Sequence, residues 1–265
     1  MIYTARGWKT NEGFALGVGT NRLPAEDLTS TTLEVKTDSG LELRGAFLSA
    51  SEVRWGATGV GDLDAATGGG PYDAVAVGEH ALFVDLPFRS RPRQARTLII
   101  SNRTRRALVV VSTIAPEPIP GEPQVSQRFW PGVVGDGDPV PRSFVPAPTR
   151  DLIGRRLLHR YSPNHCYEHV HLSSERYAWQ CLEGLQRGHG DVDLASTYQL
   201  DDDLYVFAVR EIRIAVASLF LYDMVGRTST GRFLGLTADG HAEHRRFGSR
   251  IIPLADVRYP DVEPV

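Results

Sequence analysis

The feature that most constrains this 265-residue chain is that it nearly repeats itself. LSASEVRW ends at Trp55 and LSSERYAW ends at Trp179, an offset of 124. Downstream, YDAVAVGEHALFVDL from Tyr72 lines up with YQLDDDLYVFAV from Tyr198, an offset of 126. ARTLIISNRTRRALVVV then keeps step with ASLFLYDMVGRTSTGRF at an offset of about 122. Similarity this long means one supersecondary unit used twice, and each unit is too large for a solenoid repeat.

Each unit reads as strands. Helical signals are scarce, whereas short apolar runs punctuated by turn residues recur throughout. The first half has eight such runs between Thr31 and Phe129, and the second has eight between Arg155 and Ile251. Runs this close in sequence favour antiparallel hairpins over crossover connections. Two all-β antiparallel barrels of eight strands in tandem therefore fit the pattern. A barrel of that size holds side chains or one small ligand. A single twisted sandwich is the competing architecture. The stretch after Phe129, rich in Pro and Gly, reads as the linker between the halves, because proline lacks a backbone donor. This divides the chain into 1–147 and 148–265.

Composition narrows the partners. Lys+Arg is 29 and Asp+Glu is 32, so the net charge of −3 carries no basic surplus to announce nucleic acid. No apolar run reaches the roughly 18 residues that span a bilayer, so no membrane is expected as a partner. The first residues, MIYTARGWKTNEGF, lack the apolar stretch of a secretory signal. A cytoplasmic location is expected, with Cys166 and Cys181 as free thiols.

The residues also resemble a known family. GFALGVGTNRLPAEDL followed by TLEVKTDSGLELR is similar to the MoaF N-terminal domain. GRRLLHRYSPNHCYEHVHLSSERYAWQCLEG, LYVFAVRE, LYDM and RTSTG are similar, in that order, to the MoaF C-terminal domain. The resemblance implies lipocalin-like, or calycin, barrels, and its label points to molybdenum cofactor biosynthesis. Two positions depart from the family pattern. Cys166 stands where an aromatic is common, and Val209 where a Trp is usual before the Arg-Glu pair. Smaller side chains there reshape any cavity they face.

The densest chemistry lies in YSPNHCYEHVH, Tyr161–His171. Strand alternation puts His165, Tyr167, His169 and His171 on one face and Cys166, Glu168, Val170 and Leu172 on the other. Three histidines on one face resemble metal ligands, but the pattern equally suits a strand face, and the first half has no matching HxH. No metal and no cofactor are expected. Glu168 sits on the more apolar face, where a carboxylate is either paired or raised in pKa. Arg210 and Glu211 end the apolar strand LYVFAV. They could clamp a substrate anion or bridge to each other. Trp179 and its counterpart Trp55 read as barrel core or as a ligand wall. Glycines 68–70 open no helix and cannot form a phosphate loop. The Arg103–Arg106 turn reads as a solvated hairpin tip, weakly an anion patch.

The expectation that follows is a binder of a small organic molecule. It would act as a cofactor-independent acid–base enzyme for isomerisation, cyclisation or decarboxylation. Glu168, His169, Arg210 and Glu211 would be catalytic, with Tyr161, Tyr167, Trp179 and Tyr205 lining the ligand site. A carrier, or an accessory protein of cofactor or specialised-metabolite biosynthesis, is the alternative. The outer barrel faces could pair, so a homodimer stays open.

Overall fold

The computed structural model describes residues 17–59, 67–135, 145–259, 262 and 264. Its described residues form eighteen strands and no helix. The first sheet holds β1 (Thr32–Thr37), β2 (Glu42–Phe47), β3 (Glu52–Thr58), β4 (Gly68–Pro71), β5 (Asp73–Val77), β6 (Ala81–Pro87), β7 (Gln94–Ser101), β8 (Arg106–Ile114) and β9 (Val125–Val134). Their spatial order is β4-β3-β2-β1-β9-β8-β7-β6-β5. The second sheet holds β10 (Ala147–Pro148), β11 (Arg155–Ser162), β12 (His165–His171), β13 (Arg176–Glu183), β14 (Gly190–Asp201), β15 (Leu204–Arg210), β16 (Val216–Asp223), β17 (Thr228–Leu236) and β18 (Ala242–Asp256). Its order is β10-β14-β13-β12-β11-β18-β17-β16-β15, and β14 pairs with β15 to close the ring.

The second sheet is thus a closed up-and-down barrel of eight strands, with β10 added at its margin. The first is the same meander with one seam. β14 runs unbroken for 12 residues, its first part pairing with β13 and its second with β15. The corresponding stretch of the first barrel is cut into β4 and β5 at Pro71–Tyr72, where proline removes a ladder donor. β4 pairs with β3 and β5 with β6, as the two parts of β14 do with their neighbours. The glycine run 68–70 belongs to β4. A Cβ at Gly68 would fall 2.7 Å from the Trp55 ring, so the bare backbone makes room for the indole.

Register supports the duplication. Leu33 opposes Gly45 and Gly45 opposes Trp55 in the first barrel. Leu157 opposes His169 and His169 opposes Trp179 in the second, each 124 residues on. Several strand boundaries differ from expectation: β4 and β10 match no expected run, and β18 continues past Ile251 to Asp256. β9 continues through Pro131 to Val134, so the linker begins later than Phe129. β14 starts at Gly190 rather than Thr197, because pairing with β13 carries a stretch whose acidic residues disfavour a strand.

The two barrels pack side by side. Val75, Phe83, Ile99 and Val110 of the first meet Leu200, Val206, Leu219 and Leu221 of the second. A buried ion pair lies in the same interface. Arg232, fully buried, reaches Asp85 at 2.9 Å, Thr97 Oγ1 at 2.6 Å and Ser112 Oγ at 3.0 Å. Arg103 also crosses the interface, meeting Asp201 Oδ1 at 2.6 Å, so this turn is an inter-barrel clamp rather than a solvated tip.

The interiors differ. Val35, Leu41, Leu43, Phe47, Leu98, Ile100 and Val109 fill much of the first with aliphatic packing. The second is filled with phenols, imidazoles and aromatic rings. At the 124-residue offset, His165, Tyr167, His169 and His171 stand where the first barrel has Leu41, Leu43, Gly45 and Phe47.

Candidate active site in the second barrel

The inner wall of the second barrel borders a small cavity of about 30 Å³ lined by Tyr161, Tyr167, His169, Tyr177, Trp179 and Glu211, among others. Period-two alternation puts them there. Tyr167 and His169 share the inner face of β12, Tyr177 and Trp179 that of β13, and Glu211 continues the inner series Tyr205, Phe207, Val209 of β15.

Glu211 is the most polar group on the wall. It receives no hydrogen bond from a described residue. Burial, with the Asp193 and Asp191 carboxylates nearby, pushes its carboxyl well above the usual range. The same charge bears on the phenols of Tyr161, Tyr167 and Tyr177. Each is driven upward chiefly by burial, so all three stay protonated. Tyr167 donates its hydroxyl to Gln186 Oε1 at 3.0 Å.

His169 shares a 3.2 Å hydrogen bond through Nδ1 with the Tyr222 hydroxyl. Its ring lies 4.2 Å from that of His159 and 5.3 Å from that of Tyr177. Burial first, then His159 and His171, holds its pKa well below the ordinary histidine value, so the imidazole is neutral. His159 and His171 are driven down to about 3 by the same burial. Among the described residues no group of three His, Cys, Asp or Glu is arranged to hold a metal ion.

Behind the cavity, Asp193 fixes two walls at once. Its Oδ2 accepts the Trp179 indole N–H at 2.9 Å, and its Oδ1 accepts the Ile212 amide at 2.9 Å. Asp193 is almost fully buried, and burial raises its own carboxyl despite these donors.

Tyr161, Tyr167, His169, Trp179 and Glu211 are therefore brought together, whereas three other expected site residues are placed elsewhere. Glu168 projects from the outer face of β12. It takes Arg156 Nε at 2.6 Å and bonds Gln180, which makes it an anchor outside the barrel and corrects its expected catalytic placement. Arg210 points to the first barrel, meeting Gln127 Oε1 at 3.3 Å and Ala195 O at 3.0 Å. It shares no cavity with Glu211, because neighbours on a strand face opposite ways. Tyr205 is an inner residue beyond the cavity wall, its hydroxyl 3.4 Å from Asp151 Oδ2. Both cysteines are free and buried, and Cys166 lies on the face opposite the cavity. Sequence reading missed Tyr177, Gln186, Asp193 and Tyr222. Tyr177 was within reach, since it precedes Trp179 by two on the same face.

Comparison with known proteins places the chain in a family. Residues 6–116 match the MoaF N-terminal domain and residues 146–257 the MoaF C-terminal domain. The chain belongs to the MoaF family. It is 30% identical over 180 residues to the protein MoaF of Klebsiella aerogenes, a match that spans 62% of this chain and 66% of that MoaF protein. A solved structure from Burkholderia vietnamiensis, provisionally described as a β-lactamase, aligns over 39% of this chain and 95% of its own. Its identity is 12% and its TM-score 0.34. The two MoaF domain matches fall one on each barrel, and the cavity with Glu211 lies within the MoaF C-terminal match.

Proposed function

We propose that this MoaF-family chain binds a small, largely apolar organic molecule in the second barrel and moves a proton on it without a cofactor. Glu211 is the acid–base group. A carboxyl raised well above the ordinary glutamate range is both a competent acid and, once ionised, a stronger base than an ordinary glutamate. Tyr161 supplies a phenol donor to an oxygen on which negative charge develops, beside Tyr167, whose own proton is held by Gln186. His169, held neutral, offers a hydrogen bond without a competing charge. Trp179, Tyr177 and Phe220 form flat walls that fix a ring. The reaction class is proton abstraction next to a carbonyl, with the proton returned elsewhere on the substrate: an enolisation or isomerisation.

The observation that carries this reading is Glu211. It is a half-buried carboxyl with no hydrogen bond from a described residue, facing a cavity ringed by three protonated phenols. Its counterpart in the first barrel is Phe88, a plain hydrocarbon.

The test is deuterium wash-in from D2O into a panel of aryl ketones and cyclic enones, followed by proton NMR. Wild type should exchange at least one member, and Glu211→Gln should lose about 100-fold or more of that rate. Equal rates in wild type and Glu211→Gln would overturn the assignment. Tight binding with no exchange anywhere in the panel would move the protein to the carrier reading.

A further inference from the structure

The first barrel has its own pocket at the position that duplication makes equivalent to the cavity above. Trp55, Phe88, Arg96 and Val111 line it where Trp179, Glu211, Ser218 and Phe233 line the other. The register of β7 with β8 repeats in β16 with β17, which fixes the last two of these correspondences. The pocket is larger, about 190 Å³ against about 30 Å³. Its polarity is reversed, for an arginine replaces the acid as the buried ionisable group.

Arg96 is only 2% exposed, yet its Nε and Nη1 have no hydrogen-bond partner among the described residues. Its guanidinium lies over the Trp55 ring, 4.3 Å from the centroid, and 5.1 Å from that of Phe88. No salt bridge joins Arg96 to a described carboxylate, and no described carboxylate lines the pocket. Arg91, at the rim, adds positive charge that together with burial lowers the Arg96 pKa to about 10, so the side chain still carries its proton at neutrality. A buried guanidinium lacking both anion and acceptors is costly, and the cost is recovered when an anion arrives. Asp85, by contrast, answers Arg232 on the outer face of the same barrel.

We infer that this pocket is a second ligand site, which binds a small planar organic anion with its carboxylate on Arg96 and its ring against Trp55 and Phe88. The guanidinium supplies charge and directed donors, and the two rings, packed edge to face with centroids 5.2 Å apart, supply an apolar wall for the body. The inference does not rest on the reading of Glu211, since the residues are separate.

The test uses 4-bromobenzoate as the carboxylate probe and 4-bromobenzamide as its uncharged twin, titrated calorimetrically into the full chain. The carboxylate should bind saturably and raise the melting temperature, and the amide should bind at least tenfold more weakly. Arg96→Met should weaken carboxylate binding at least tenfold while melting no lower than wild type. Glu211→Gln should leave it unchanged. Bromine anomalous scattering from the co-crystal should place the probe on Arg96, which keeps the test decisive if Arg96→Met fails to fold. The inference is overturned if the amide matches the acid, if folded Arg96→Met binds like wild type, or if the bromine sits elsewhere.

Discussion

Asp193 accepts the indole proton of Trp179 on one oxygen and the amide of Ile212 on the other, each at 2.9 Å. Ile212 directly follows Glu211, so one buried carboxylate aligns the aromatic wall of the cavity and the backbone that carries its acid. The Asp193 charge also helps to hold Glu211 protonated.

Asp193→Asn should therefore act on both stability and titration. Rotated either way, its amide presents a donor to a partner that also donates. The expected loss is about 1–3 kcal/mol, measured by urea unfolding. The Glu211 carboxyl should titrate lower than in wild type, followed by carbon-13 NMR of labelled glutamate. Burial, the larger cause, should keep it above the ordinary range.

The buried histidines predict an acid limb. His159 and His171 fall from 6.5 unfolded to about 3 folded. Their contribution is complete above the unfolded value and drains as pH falls through 6.5 toward 3. His171→Phe should flatten that limb, with a change on the order of 3 kcal/mol by about pH 4 in denaturant-melt stability.

Glu211 has the opposite sign. Its folded pKa is raised, so its contribution is complete below the unfolded value of 4.5 and is lost as pH rises through the folded one. Glu211→Gln should gain on wild type steadily as pH increases above 4.5. Parallel stability curves for the two proteins would contradict the raised carboxyl.

Glu168 separates anchoring from chemistry. Arg156, its partner, is nearly half exposed, so losing the carboxylate strands no buried cation. Glu168→Gln should cost about 1 kcal/mol in thermal or urea unfolding. It should leave deuterium wash-in at the wild-type rate, whereas Glu211→Gln should abolish it.

The barrel interface gives a double-mutant cycle. Asp85→Ala leaves fully buried Arg232 without its anion and should cost about 3–5 kcal/mol. Arg232→Met on that background should restore most of the loss. Simple addition of the two single effects in urea melts would mean that the pair is uncoupled.

Strand alternation correctly grouped His165, Tyr167, His169 and His171 on one face, and the repeated tryptophans marked the two equivalent walls. The same alternation failed to say which face turned inward beside Arg210 and Glu211. β15 and β16 are buried on both faces, because their outer sides meet the first barrel. With both faces apolar, the period-two signal that marks inside from outside disappears. Asp193 was hidden for a related reason. Its acidic surroundings read as loop until pairing with β13 supplied the missing hydrogen bonds.

Antiparallel hairpins and duplication follow from the chain itself, since turn chemistry and side-chain period are local. MoaF resemblance is equally local, being carried by motifs in order. Which of two carboxylates enters the barrel is not local. Ring closure and barrel-on-barrel packing decide it, turning Glu211 toward the cavity and Glu168 toward Arg156 on the outer wall.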